Sequence, residues 1–214
     1  MGKIAKGIAA LPILLVLAAC AGPPEDTADI CVVFGERPRW YRDAVAAAGR
    51  WGMPVHVQMA IMRQESDFRP LARPPRRKLW GFIPTTWMSS AYGYAQATDA
   101  TWDWYRRTTG RRGADRDDFA DATDFIAWYG RVSRERLGIS LWDAYNQYLA
   151  YHEGHGGYRR GSFRDKPWLL RAARRVAQTA ARYRDQLARC RGVLERSPWY
   201  WPFNVRARAA GRDE

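Results

Sequence analysis

The stretch MPVHVQMAIMRQESDFRP, residues 53–70, reads as one helix with a marked start and a marked end. Met53-Pro54 opens it, because proline's fixed φ and missing N–H suit the first helical turn. VHVQMAIMRQES continues it, and the chain turns away before Pro70. Glu65 therefore stands near the carboxyl end of an apolar helix, with Ile61 and Met62 one turn behind it. A glutamate on a helix is ordinarily a solvated surface acid. The segments around Glu65 decide whether it is more than that.

Outward from this helix the pattern stays helical. Residues 38–51, PRWYRDAVAAAGRW, carry apolar side chains at Tyr41, Ala44, Val45 and Ala48 until Gly52 ends the run. Residues 70–90, PLARPPRRKLWGFIPTTWMSS, hold four prolines, a basic cluster and two tryptophans, and read as a long loop. Loops of that length in compact domains are functional or disordered. Helices are expected at about 98–110, where Thr98 or Asp99 can cap, at about 117–137 and at about 141–153. The last runs from about Lys166 to Leu194, with Leu169, Ala173, Val176, Ala180, Tyr183, Leu187, Cys190 and Leu194 forming one stripe.

No strand alternation exceeds a few residues and no repeat is present, so the fold class is mainly α. With 214 residues, 47% of them hydrophobic, the chain can bury one sizeable core, in a single globular domain over residues 37–196 with a long C-terminal helix. An aromatic and basic tail, residues 197–214, follows it.

The amino terminus, MGKIAKGIAALPILLVLAAC, has basic residues Lys3 and Lys6, an apolar run from Ile8 to Val16, and then small residues up to Cys20. That run is too short to span a bilayer as a mature helix and reads as a secretory signal. Leu17-Ala18-Ala19-Cys20 resembles the bacterial lipoprotein processing site. The resemblance implies a signal peptide over 1–19, acylation of Cys20, and a tether over 20–36 that anchors the chain to a membrane without crossing it. Ala21 and Gly22 lack the Asp that marks inner-membrane retention, so a periplasmic position on the outer membrane is expected. Cys31 and Cys190 remain, as a disulfide in an oxidising compartment or as two buried thiols.

The formal net charge is +13, and +10 of it lies from residue 159 onward, where 15 Lys and Arg face 5 Asp and Glu. Such a face suits an anionic polymer or membrane surface, or is a solvated arginine face. No nucleic-acid motif accompanies the charge, so no nucleic-acid partner is expected.

Three separated segments carry chemistry. They are Glu65-Ser66, then Ser90-Ala91-Tyr92-Gly93-Tyr94-Ala95-Gln96 with Ala97-Thr98, then Leu149-Ala150-Tyr151-His152-Glu153-Gly154-His155-Gly156. Their order resembles the lytic transglycosylases with a soluble lytic transglycosylase or goose-type lysozyme-like catalytic domain, over roughly residues 40–160. There the pattern is Glu-Ser, Gly-Leu-Met-Gln and Ala-Tyr-Asn-Ala-Gly. The resemblance implies a lysozyme-like domain acting on peptidoglycan glycan strands without a cofactor. It makes Glu65 the catalytic acid, matches Ser66, Gly93, Gln96, Tyr151 and Gly154 to the motifs, and places Tyr92, His152 and Glu153 among the substrate-binding candidates.

The scheme it implies uses one carboxylate. Glu65 protonates the β-1,4 oxygen after N-acetylmuramic acid, then takes the proton of the C6 hydroxyl, leaving a 1,6-anhydro end. Two-carboxylate glycosidases instead need a second acid. A Glu can be an acid near neutral pH only if burial raises its pKa, and Ile61 and Met62 are the expected wall. Tyr151 is expected to offer a hydroxyl to the positive anomeric centre. This sequence departs from the family at Tyr94 and Ala95, at His152 and Glu153, and in a longer gap after Ser66. Those departures leave room for a non-catalytic glycan-binding lipoprotein, or for a hydrolytic muramidase using Glu153.

His152-Glu153-Gly154-His155 invites a zinc reading. A zinc-protease helix needs histidines four apart, whereas these are three apart and run into Gly-His-Gly, and His56 lies on a distant helix. No metal is expected.

Overall fold

The computed structural model describes residues 22–79 and 83–196. The segment read as a signal peptide, the expected lipidation site Cys20 and the 197–214 tail lie outside the described residues. Seven helices and one hairpin follow in chain order among them: α1 (Ile30–Glu36), α2 (Pro38–Trp51), α3 (Val55–Ser66), β1 (Arg76–Leu79), β2 (Ile83–Trp87), α4 (Asp99–Thr109), α5 (Phe119–Leu137), α6 (Ala144–Arg160) and α7 (Pro167–Arg196). None of the described helices is long and apolar enough to cross a membrane.

The central element is α3. Residues 56–62 of it are buried almost without interruption, and it packs on α7, α5 and α6. A helix covered on nearly every side has no polar stripe to orient it. Its one long buried polar side chain, Gln58, is satisfied by backbone and Thr123: Nε2 donates to Met53 O at 2.7 Å, and Thr123 Oγ1 donates to Oε1 at 2.7 Å. Those bonds lock α3 to α5, because an unpaired amide there would cost about 1–3 kcal/mol.

The long helix follows the expected stripe. Leu169, Ala173, Val176, Ala180, Tyr183 and Leu187 are buried, while Arg171, Arg174, Arg175, Arg182, Arg184 and Arg189 are exposed. On α2 the buried line is Tyr41, Ala44 and Ala47, and Val45 is turned out at 43% exposure. Side-chain oxygens of Thr98, Asp118 and Asp143 cap α4, α5 and α6, each accepting from a backbone N–H three residues on.

Two differences from the sequence expectation bear on the site. Residues 20–36 read as a tether in the sequence, yet α1 forms there and buries Ile30, Val33 and Phe34. It is seven residues long, too short for a period to stand out, and its stability comes from α7. Gln186 Oε1 accepts from Ile30 N at 3.0 Å, and the Cys31–Cys190 disulfide joins the two helices at a Cα–Cα distance of 6.1 Å.

The 70–90 loop also contains the antiparallel pair β1–β2, with Arg76 opposite Trp87 and Leu79 opposite Ile83. Strands of four and five residues among four prolines give no readable alternation.

Candidate active site

The last turn of α3 brings Glu65 to a cleft of about 460 Å³ whose other walls are the Ser89–Thr98 loop, Thr101 of α4, Phe125 and Tyr129 of α5 and the middle of α6. What holds that turn is the chain just after it. Asp67 and Phe68 both adopt left-handed backbone, with φ of 51° and 56°. For residues other than glycine this is costly unless the surroundings impose it. Phe68 imposes it by being fully buried against Trp40, and Asp67 Oδ1 accepts from Thr27 Oγ1 at 2.7 Å. Asp67 is thus a cap residue and not a second acid of the cleft.

Glu65 keeps part of its surface toward the cleft, while Ile61 and Met62, one turn back on α3, are in the core at 1% and 0% exposure. Burial pushes its carboxyl up from the ordinary value to about 7, against a hydrogen bond donated by the Tyr148 hydroxyl, which favours the ionised form. Tyr148 stays a neutral donor, because its own burial and the neighbouring Glu65 hold the phenol far above its usual pKa.

Of the second motif, Ala91 and Gln96 line the cleft, with Ala97 and Thr98 beyond them. Gln96, with a φ of 48°, donates both Nε2 protons to main-chain carbonyls, Ala72 O at 2.9 Å and Gly93 O at 2.8 Å. Any bond it offers a ligand is therefore an acceptance at Oε1. Gly93 has a φ of 79°, and a Cβ there would lie 2.0 Å from Arg116 O, so only glycine fits. Its place is structural and behind the cleft. The Tyr92 ring is flanked by Arg73 and Arg116, and its hydroxyl donates to Asp117 at 3.0 Å. Ser66 is buried, with Oγ donating to Met62 O at 3.2 Å. None of Ser66, Tyr92 and Gly93 is among the residues lining the cleft, and their contacts are with the protein itself.

The third motif lies on α6, which breaks at Gly154 (φ 70°, ψ 159°) and resumes to Arg160 instead of ending near 153. Tyr151, His152, Glu153 and Gly154 line the cleft. The Tyr151 hydroxyl donates to Ala95 O at 2.5 Å, tying the third motif to the second. Its proton is thereby committed, and Tyr148, three residues earlier on the same face, is the tyrosine that bonds Glu65. That spacing was the available signal for Tyr148 in the sequence.

Glu153 sits in an environment opposite to that of Glu65. Burial acts to raise its pKa, but hydrogen bonds from Lys166 at 2.8 and 2.9 Å, from Ser162 and from His152 more than offset it, so the carboxyl is held below its ordinary value. Two carboxylates on one cleft are thus pushed apart, one kept protonatable and one kept ionised, which is the arrangement that separates acid from bystander.

The histidines are divided between core and rim. His155 Nε2 lies 3.0 Å from Ser133 Oγ, and its ring stacks on Tyr129 at 4.5 Å, while burial lowers its pKa to about 4. His152 is at the rim, edge-on to Trp168 at 5.0 Å. Among the described residues no three His, Cys, Asp or Glu side chains are grouped so as to hold a metal ion.

No curated protein and no solved structure gives a significant match to the chain. A family model does, that of the transglycosylase SLT domain, over residues 8–190. The match spans α1 to most of α7 and includes all three cleft-forming segments. The mainly helical, lysozyme-like domain agrees with that match, and the chain belongs to the transglycosylase SLT domain family.

Proposed function

We propose that the protein cleaves the β-1,4 bond between N-acetylmuramic acid and N-acetylglucosamine in peptidoglycan without water, leaving 1,6-anhydro-muramyl ends, with Glu65 as acid and then base. The observation that carries this reading is the Glu65 carboxyl, which faces the cleft and is pushed by burial up to about 7. At neutral pH it is protonated often enough to donate to the leaving oxygen, and after donation it can receive the C6 hydroxyl proton. An acid with an operating pKa near the ambient pH serves both steps.

The bond balance needs no second carboxylate. The glycosidic C–O bond breaks as its oxygen takes the Glu65 proton, the C6 oxygen bonds to C1, and its proton returns to Glu65. Glu153 is occupied by Lys166 and Ser162 and stays ionised, so it is poorly suited to a shared acid role. The Tyr148 donor steadies the ionised Glu65 between the steps. With its proton on Ala95, Tyr151 offers the anomeric centre its phenolic oxygen lone pairs. Gln96 Oε1 accepts from a sugar hydroxyl or amide. The chain acts in the periplasm as a lipoprotein held through Cys20.

Digestion of purified peptidoglycan followed by mass spectrometry tests the reading. Anhydro-muramyl products are expected. Reducing ends carrying an added water would make the protein a hydrolase, and binding without turnover would make it a glycan-binding lipoprotein. Metabolic labelling with a palmitate analogue, and its loss in Cys20→Ser, tests the anchor.

A further inference from the structure

The β1–β2 hairpin fills the insertion between Glu65 and the Tyr92–Ala97 turn, and the cleavage scheme gives it no task. Arginines and aromatic rings alternate at its base. The Arg76 guanidinium lies 4.5 Å from the Trp87 ring centroid, and that of Arg73 lies 5.4 Å from the same ring and 4.2 Å from Tyr92. Arg116 also approaches Tyr92 but is consumed by Asp99 at 2.8 Å and by the carbonyls of Ser90 and Ala97.

Arg73 and Arg76 differ from it. Both are exposed, and among the described residues no carboxylate lies within ion-pair distance of either. Stacking uses the flat face of a guanidinium and leaves its N–H edge free. Two guanidinium groups held against one indole concentrate positive charge and N–H donors where a carboxylate can accept them. Their position is set by the cleft wall. Ala72, the residue before Arg73, accepts from Gln96 Nε2 and from Gly93 N, and Trp87 precedes by two residues Ser89, which lines the cleft.

We propose that Arg73 and Arg76, held against Trp87 and Tyr92 on the segment that adjoins the cleft-lining Ser89 and Ala91, form a carboxylate-binding subsite for the peptide stem of the glycan strand lying in the cleft. This rests on the function proposed above. The sugars of that strand offer neutral hydroxyl and acetamido groups, whereas the stem, attached to the muramic acid lactyl group, carries the carboxylates that a pair of arginines can recognise.

The test compares the purified wild-type protein with Arg73→Gln/Arg76→Gln and Arg73→Lys/Arg76→Lys, on glycan strands bearing stems and on strands stripped of stems by an amidase. Thermal melting confirms that each variant is folded. The glutamine pair is expected to raise KM on stem-bearing strands about tenfold with kcat held, the loss of a charged hydrogen-bond pair, and to change nothing on stripped strands. The lysine pair should recover only part of the loss, because an ammonium keeps the charge but not the planar fork. An equal change on both substrates, or no change on either, overturns the subsite. So does an unchanged KM with reduced binding to phosphatidylglycerol vesicles, which would assign the arginines to a membrane surface. If the wild type turns over neither strand, the cleavage reading fails by itself, and equilibrium binding of the same strands to the same variants decides the subsite.

Discussion

The Tyr148 hydroxyl on α6 donates to the Glu65 carboxylate at the end of α3, so the group proposed to move the proton is held by the helix that carries the third motif. Burial favours the neutral acid, the hydrogen bond favours the ion, and burial prevails, leaving Glu65 at about 7. Turnover that begins with protonated Glu65 is expected to fall as pH rises through about 7. In Tyr148→Phe the ion loses its donor, so this alkaline limb should move upward while kcat drops about tenfold. A pH–rate profile of the two proteins checks it. An unmoved limb would detach Tyr148 from the acid.

Glu65→Gln should abolish cleavage and leave glycan binding. It should also reveal a stability effect of defined sign. The folded-state pKa of Glu65 is above its unfolded value, so the stabilising protonated form is fully present below about 4.5 and is lost as pH rises through about 7. Above that, burying the charge costs at most about 3 kcal/mol. Glu65→Gln is therefore expected to melt higher than wild type at pH 8 and to match it near pH 4.5. A melting difference independent of pH would argue against a buried ionisable Glu65.

The Cys31–Cys190 disulfide closes a loop of 159 residues and pins α1 to α7. Constraining so long a loop in the unfolded chain contributes about 2–5 kcal/mol. Urea titrations with and without reductant, and of Cys31→Ser/Cys190→Ser, should show that loss with cleavage retained, since neither cysteine is at the cleft. Alkylation of both cysteines in unreduced, denatured protein would refute the pairing.

Gly93→Ala places a methyl group against Arg116 O, at a φ that alanine rarely adopts, and so strains the Tyr94 N–H to Arg116 O bond, now 3.1 Å. A loss of roughly 2 kcal/mol or more is expected. Because Gln96 Nε2 bonds Gly93 O, KM should rise as well. Unaltered melting and KM together would show that this turn is not held as described.

Much of the fold is legible along the chain because periodicity and caps are local. The α7 stripe, the start of α3 at Pro54 and the cap at Thr98 need only a few neighbouring residues to specify them. Elements whose stability is borrowed are not legible in that way. α1 depends on Gln186 and Cys190, more than 150 residues away, and the hairpin has too few residues to alternate visibly.

The site divides along the same line. Glu65 and the order of the three motifs are set down in the chain, since each is a short string that survives without context. Which residues touch was decided by packing. Burial by distant helices sets the acidity of Glu65. The crossing of α3 and α6 selects Tyr148 over Tyr151 as its partner. The ion pair with Lys166 turns Glu153 from a candidate acid into a fixed anion. A carboxylate's identity is local, but its pKa is a sum over everything that surrounds it, and only the tertiary structure brings those groups together.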